Sequence, residues 1–192
     1  MNALRSVALI VLGSLAAATL SAAGGTWLDA PPAGWNKPGA ALPQAPSVEG
    51  KPDPRCRDQA RPSTSAEDRA VEGAGWTAVG PLQVYGGTTV LTATSAFDGM
   101  CRWWGYQVFV FVDGRFAGTL SPAPMNSRTD GAATQVHLYR ASSITAEFTR
   151  YTEKDPLCCP SGNSLVSYRV EQRSGGPVVV PLEMSTTPSK AQ

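Results

Sequence analysis

The sequence predicts an α+β fold: a curved antiparallel β-sheet of about six to seven strands with one N-terminal helix packed on it. From Trp76 onward, short runs rich in Val, Thr, Phe and Tyr alternate with clusters of Gly, Pro, Ser and Asp, as strands and turns do. Before them, Ser65 and Asp68 have the spacing of a helix capping box. One helix followed by many strands favours an antiparallel sheet covered by that helix.

The first 23 residues have the pattern of a secretory signal. Arg5 precedes an apolar run over residues 7–20, and small residues follow at 21–23, where we expect cleavage after Ala23. An uncleaved N-terminal anchor is the alternative. No cysteine follows the run before Cys56, so no lipid attachment site is expected there. The prediction is a secreted or periplasmic protein without stable membrane insertion after signal cleavage.

Residues 24–55 contain seven prolines and five glycines, which predicts an extended linker or a surface strap. We expect its two tryptophans, Trp27 and Trp35, to pack against the domain. A single α+β domain is predicted over residues 56–184, followed by a disordered tail over residues 185–192.

The helix that starts after Ser65 has a modest apolar face and ends at glycines. Gly73 and Gly75 stop it. The predicted buried face consists of Ala66, Ala70, Val71 and Ala74.

The clearest hairpin lies in "QVFVFVDGRFAGTL", residues 107–120. Asp113-Gly114 is a favoured pair for a type I′ turn, which requires positive φ at both positions. The turn pairs Val112 with Arg115, Phe111 with Phe116 and Phe109 with Gly118. Phenylalanines 109, 111 and 116 then share one face, and Val108, Val110, Val112 and Ala117 share the other. Apolar residues on both faces predict an interior strand in which Phe111 is buried.

Further strands are predicted over residues 88–97, 134–139, 144–151, 164–170 and 177–182. In the third of these, Ile144, Ala146 and Phe148 share one face, whereas the polar residues Thr145, Glu147 and Thr149 share the other.

The formal charge argues against a nucleic-acid partner. The whole chain carries +1, and loss of residues 1–23 removes one arginine and no acid, which leaves 0. A neutral chain without a Lys/Arg run has no long-range field to attract phosphates.

Four cysteines allow three disulfide pairings, and an oxidising compartment would favour pairing. Adjacent side chains on an extended chain point apart, which favours a double staple in which Cys158 and Cys159 bond separately to Cys56 and Cys101. The alternative is a vicinal Cys158–Cys159 bond with Cys56 paired to Cys101; such a bond would be strained and reducible. Zinc is less favoured, because His137 alternates with apolar neighbours and should face solvent.

Two stretches of the chain form a recognisable combination: "DGMCRWWGYQVFVFVDGRFAGTLSPAPMNSRTDGA" and "FTRYTEKDPLCCPSGNSLVSYRVE". Together and in this order they resemble the LppP/LprE family of bacterial envelope lipoproteins, and the resemblance runs from about residue 76 to residue 170. It implies an extracytoplasmic domain without an established biochemical activity. The family name implies a lipid anchor, but this chain lacks the lipobox cysteine, so membrane attachment is not carried over.

Motifs for catalysis are scarce. The sequence contains no GxSxG, phosphate-binding glycine loop or HExxH motif. Four loop carboxylates, Asp98, Asp113, Asp130 and Asp155, precede Gly or Pro, which is typical of turns. No catalytic residue, metal or cofactor is predicted.

Residues 121–132 form a long polar loop, and long loops are often functional. With an exposed Trp104, this loop supplies the predicted partner contacts Asn126, Arg128 and Asp130. A structural Arg128–Asp130 brace with an Asx-type turn is the alternative, and it is favoured over a ligand site. We therefore expect a non-enzymatic module that binds an envelope protein or a cell-wall component. The competing interpretation is a hydrolase that uses loop carboxylates or His137.

Overall fold

The computed structural model describes residues 25–47 and 54–189, so the predicted signal segment at 1–23 lies outside the described residues. The helical elements are two 3₁₀ turns, Trp27–Asp29 and Pro54–Gln59, and helix α1, Ala66–Gly73. The strands are β1 Thr77–Tyr85, β2 Thr88–Phe97, β3 Trp103–Val112, β4 Arg115–Thr119, β5 Ala133–Arg140, β6 Ser143–Arg150, β7 Gly162–Arg173 and β8 Gly176–Pro188.

These strands form two four-stranded antiparallel sheets, β1-β2-β3-β4 (sheet A) and β5-β6-β7-β8 (sheet B). The prediction of antiparallel strands is confirmed, but that of one curved sheet with six to seven strands is wrong. The segment between β4 and β5 carries the chain from one sheet to the other. Periodicity locates strands and their apolar faces, whereas it does not say which strands pair across such a long connection.

Sheet A is the middle layer of the fold. Its inner face packs on sheet B around a core that includes Val108, Val110 and Phe148. Its outer face packs against α1 and the N-terminal segment in a second core that includes Phe109 and Phe111. The prediction that β3 is buried on both faces is confirmed, because a three-layer arrangement covers both sides of this strand.

The β3–β4 hairpin follows its turn chemistry only for the first two residue pairs. Asp113 and Gly114 have φ of 47° and 74°, as a type I′ turn requires. The predicted pairing of Phe109 with Gly118 is wrong, because a β-bulge shifts the register between Phe111 and Val110 and pairs Phe109 with Thr119. Turn type sets the register next to the turn, and a bulge then shifts it by one residue.

Helix α1 begins with the predicted capping box. The Ser65 side chain accepts the N–H of Asp68, and the Asp68 carboxylate accepts the N–H of Ser65. The predicted apolar face is only partly correct. Val71 and Ala74 are buried, whereas Ala66 and Ala70 are exposed, because a short helix meets the sheet along a narrow stripe.

The other buried side chain of α1, beside that of Val71, is charged. Both Asp68 carboxylate oxygens accept hydrogen bonds from the guanidinium of Arg61, at 2.8 and 2.6 Å. Burial alone would raise the pKa of Asp68, but the Arg61 contacts and the N–H groups of Ser65 and Thr64 outweigh it and lower that pKa. The ion pair therefore anchors α1 to the segment that precedes it.

Residues 25–47, called the strap below, lie on the domain as the sequence predicts for its tryptophans. Trp27 packs edge-on against Phe148 with ring centroids 5.1 Å apart, and Trp35 packs against Tyr168 at 6.4 Å. The strap therefore contributes to the core between the sheets.

Within the strap, Asn36 joins the two sheets. Its Nδ2 donates to the carbonyl of Thr119 in β4 at 2.9 Å and to the carbonyl of Val179 in β8 at 3.0 Å. Its Oδ1 accepts the N–H of Thr119 at 2.9 Å. Gly118 has φ of 138°, and a Cβ there would collide with the Asn36 side chain. The absence of a side chain at this bulge therefore leaves the space that the Asn36 side chain occupies.

Gln83 joins the sheets at the opposite edge. Its Nε2 donates to the carbonyl of Val136 in β5 at 2.7 Å, and its Oε1 accepts the N–H of Leu138 at 2.9 Å. A side-chain amide from β1 thereby replaces a neighbouring strand for part of β5. This edge of the sandwich needs no continuous backbone ladder between the sheets.

Two strand boundaries differ from the sequence expectation. Strand β1 was not predicted individually, because Gly80 and Pro81 interrupt its pattern; the pairing with β2 shifts register between Val79 and Gln83. Strand β8 continues to Pro188, past the domain end predicted at residue 184, because β7 pairs with it throughout.

Phe111→Ala should lower the free energy of unfolding by about 3–5 kcal/mol, because it removes a side chain that is buried on the helix side of sheet A. Urea unfolding of the purified protein measures this loss. Tyr85→Ala is the matched control: Tyr85 is 54 % exposed and should change stability by only about 0.5 kcal/mol. Equal losses in the two variants would contradict the assigned core.

Asn36→Ala should cost on the order of 2–3 kcal/mol, because it leaves buried backbone groups of β4 and β8 without partners. Gly118→Ala should also destabilise the protein, since its new Cβ meets Asn36. In the double variant this collision is absent, so the combined loss should be smaller than the sum. Strictly additive losses in urea unfolding would disprove the coupling of Gly118 to Asn36.

Candidate functional site

A polar cleft of about 420 Å³ opens at one end of sheet B, and we call it the end cleft. One wall is the β4–β5 loop, residues 120–132, and the other is the β6–β7 loop, residues 151–161. Strands β5, β6 and β7 form its floor. Its lining includes the side chains of Arg128, Gln135, Glu147, Tyr151, Cys158 and Asn163.

The β4–β5 loop is held in place on both sides of its tip. Met125 exchanges two backbone hydrogen bonds with Tyr106, at 2.7 and 2.8 Å, and Asn126 Oδ1 accepts the N–H of Gly105 at 2.8 Å. On the other side, Asp130 Oδ1 accepts the N–H of Tyr151 at 2.8 Å. The loop is therefore well bonded to the sheets, and the residues between its two clamps have a defined position.

Arg128 lies between these clamps and is exposed. Its φ of 62° places it in the left-handed region, which non-glycine residues adopt at a cost and which is common at functional positions. Within residues 25–47 and 54–189, its guanidinium makes no ion pair or hydrogen bond. The alternative of an Arg128–Asp130 brace is wrong, because Asp130 pairs with Arg150 instead.

Arg150 connects the strap to the β4–β5 loop, which is one wall of the cleft, through two ion pairs. Its Nε donates to Asp130 at 3.0 Å, and its Nη2 donates to Asp29 at the start of the strap. The hydrogen bond from Arg150 lowers the pKa of Asp29. The acids next to this wall are thus neutralised locally, and Arg128 remains the free cation of the β4–β5 loop.

The β6–β7 loop closes on the carboxylate of Asp155. This carboxylate accepts the backbone N–H of Thr152 at 2.7 Å, the hydroxyl of Thr152 at 2.9 Å and the N–H of Ser161 at 3.0 Å. The N–H of Thr152 makes the largest contribution to a pKa of about 2 for Asp155. The Tyr151 hydroxyl also donates to the carbonyl of Leu157 at 2.9 Å.

The double staple predicted for the cysteines is wrong. Cys56 bonds to Cys101, 45 residues away, and Cys158 bonds to its neighbour Cys159. The prediction relied on an extended chain around residues 158–159, where neighbouring side chains point apart. In the structure that segment is a turn in which the N–H of Cys159 donates to the carbonyl of Pro156 at 2.9 Å, so the opposite-direction rule for strands does not apply.

The remaining predicted contact residues have different positions. Trp104 is 46 % exposed and lies on β3, outside the end cleft, while its neighbour Trp103 packs against Tyr106. The expected exposure of Trp104 is therefore confirmed. Asn126 and Asp130 hold the β4–β5 loop in place. Arg128 is the one predicted contact residue that lines the cleft with side chains of sheet B.

The loop carboxylates form turns, as their sequence context predicts. Asp98, for example, accepts the N–H groups of Met100 and Arg102, each at 2.9 Å. His137 is exposed on β5, as predicted, and its ring lies 3.4 Å from the Gln135 side-chain oxygen. No group of three or more His, Cys, Asp or Glu side chains in the described part of the chain is arranged to hold a metal ion.

Sequence reasoning missed the floor of the cleft. Glu147 and Gln135 are cross-strand partners on the outer face of sheet B, and Asn163 lies opposite Thr149 on the same face. The polar half of the alternation in β6 was visible in the sequence, but a polar strand face is ordinarily solvated. Only the two loops, which rise beside it, turn this part of the face into a cleft that offers hydrogen-bonding groups.

The fold and the cleft define a class of protein: an antiparallel two-sheet domain, braced by a long-range disulfide, with a polar cleft between two loops. Residues 83–173 match the family model of the LppP/LprE lipoprotein. This match confirms the family resemblance that the sequence motifs indicated, and the family suggests a location in the cell envelope. No match was found among curated proteins or among solved structures. Within residues 25–47 and 54–189, no helix has the length and apolarity needed to cross a membrane.

The two disulfides should contribute very unequally to stability. Replacing Cys56 and Cys101 by serine should lower the free energy of unfolding by on the order of 4 kcal/mol, because their bond closes a long loop. Replacing Cys158 and Cys159 by serine is the matched control. It should cost less than about 1 kcal/mol, because a bond between neighbours restricts the unfolded chain very little. Equal losses in urea unfolding would contradict this assignment.

Proposed function

We propose that the protein is an exported, non-enzymatic module of the bacterial envelope that binds an anionic cell-wall component in the end cleft. The observation that carries this proposal is Arg128, an exposed guanidinium without a partner among the described residues, on a loop that is clamped on both sides. A guanidinium binds carboxylates and phosphates through charge-assisted hydrogen bonds, and a fixed loop lowers the entropy cost of binding.

The rest of the cleft indicates what else the ligand carries. Gln135, Glu147 and Asn163 offer acceptors and amide donors side by side on the strands. They suit a ligand whose acidic group is accompanied by hydroxyl or amide groups, as in a peptide-bearing glycan. An open cleft on a sheet face accommodates such a polymer better than an enclosed apolar pocket does.

A binding role is also favoured over the competing hydrolase by the way that the candidate acids are used. Asp98, Asp130 and Asp155 each accept several hydrogen bonds that form turns or hold loops. His137 contacts Gln135 and the ring of Tyr139, and neither is a carboxylate. A general acid–base pair requires titratable groups within reach of one reacting atom.

The proposal is tested by co-sedimentation with purified cell walls of the producing bacterium. Arg128→Gln should weaken binding about tenfold or more, because a hydrogen bond to a charged group contributes about 1.5–3 kcal/mol. Arg140→Gln is the matched control, since Arg140 is an exposed cation at the far end of β5, roughly 16 Å from Gln135 at the usual strand rise. Added salt should weaken wild-type binding.

Equal binding by the two arginine variants, or no binding by the wild type, would refute the proposed role of the cleft. Soluble fragments released from the walls in proportion to protein and time would instead support the hydrolase. Far-UV circular dichroism of both variants checks that each substitution leaves the fold intact.

A further inference from the structure

The two disulfides of this domain differ in their access to solvent. Cys56 is buried, with 1 % of its surface exposed, and its partner Cys101, between β2 and β3, is half-buried. Cys158 and Cys159 are both exposed in the β6–β7 loop, and Cys158 lines the end cleft. Thiol–disulfide exchange requires a thiolate to approach one sulfur along the S–S axis, so exposure decides which bond can react in the folded protein.

The vicinal bond is not needed to shape its loop. Asp155 closes the loop through the N–H groups of Thr152 and Ser161, and Tyr151 holds the carbonyl of Leu157. A bond between adjacent residues closes no larger loop of the chain, so it adds little to stability in the way that structural disulfides do. Two cysteines with high exposure and a small structural role are better explained by reactivity.

We propose that Cys158–Cys159 is a redox-active site that exchanges electrons with a dithiol at the end cleft. A thiolate of the dithiol attacks Sγ of Cys158, the Sγ–Sγ bond breaks, and Cys159 leaves as a thiolate that takes up a proton. The second thiol of the partner then attacks the mixed disulfide and releases Cys158 as a thiol. The protein gains two electrons and two protons, and the dithiol loses them and becomes a disulfide.

Arg128 gives this exchange a direction. Its guanidinium lines the same cleft as Cys158 and makes no ion pair among the residues that the structure describes. A cation that lines the cleft attracts an incoming thiolate toward Cys158. The attack is therefore expected at Cys158 from the cleft side. This inference concerns the loop chemistry and holds whether or not the cleft binds a cell-wall component.

The test is a limited reduction of the folded protein with a low concentration of dithiothreitol, followed by alkylation and peptide mapping. The peptide with Cys158 and Cys159 should be alkylated at both positions at least about tenfold faster than those with Cys56 and Cys101. Removal of the reductant should restore the vicinal bond within one molecule. In a parallel incubation, glutathione, a monothiol, should form its mixed disulfide at Cys158.

Arg128→Gln should slow this reduction about threefold at low ionic strength, whereas Arg140→Gln should leave the rate unchanged. Equal reduction rates of the two disulfides, or faster reduction of Cys56–Cys101, would overturn the proposal. Re-oxidation to disulfide-linked dimers would also overturn it. Equal rates in the two arginine variants would remove Arg128 from the mechanism. Circular dichroism before and after reduction establishes that the reacting protein is folded.

Discussion

The amide of Asn36 lies where strand β4 of one sheet and strand β8 of the other approach each other. It donates to one carbonyl from each strand and accepts an N–H from Thr119, so a single side chain satisfies backbone groups in both sheets. Buried backbone groups are costly to leave unpaired. The strap therefore stabilises the closure of the sandwich on this side, and its position places Trp27 and Trp35 in the core.

The opposite edge uses the same device with a different residue, Gln83 of β1, which bonds to β5. These two amides join the edges of the sheets, so no continuous backbone ladder is needed there. The chain crosses from sheet A to sheet B through the β4–β5 loop, at one end of the sandwich. Because this crossing must bond to both sheets, it is clamped at Met125 and at Asp130. The exposed position of Arg128 is a consequence of that double attachment.

The cysteines divide two tasks between them. Cys56–Cys101 ties the segment before α1 to the β2–β3 turn and restricts the unfolded chain over a long loop. Cys158–Cys159 restricts the unfolded chain very little and is exposed in a loop, where Cys158 lines the same cleft as Arg128. The long-range bond therefore contributes to the stability of the whole domain, whereas the bond between neighbours leaves that stability almost unchanged.

Features that depend on neighbouring residues were accessible from the sequence. The capping box at Ser65, the turn at Asp113-Gly114, the two apolar faces of β3 and the exposure of His137 each follow from contacts over a few residues. For the same reason the β4–β5 loop could be singled out as a candidate site, and Arg128 within it.

What only the tertiary structure decided depends on residues far apart in the chain. The packing of the two sheets is stabilised by hydrogen bonds such as the one from Asn36 to Val179, two residues that are 143 positions apart in the sequence. The partner of Asp130 proved to be Arg150, and the cleft floor became a site only when two loops rose beside it. The disulfide pairing depended on the turn at Pro156. Local patterns cannot determine such choices, because several long-range pairings satisfy the same periodicity and the packing of the whole chain selects one.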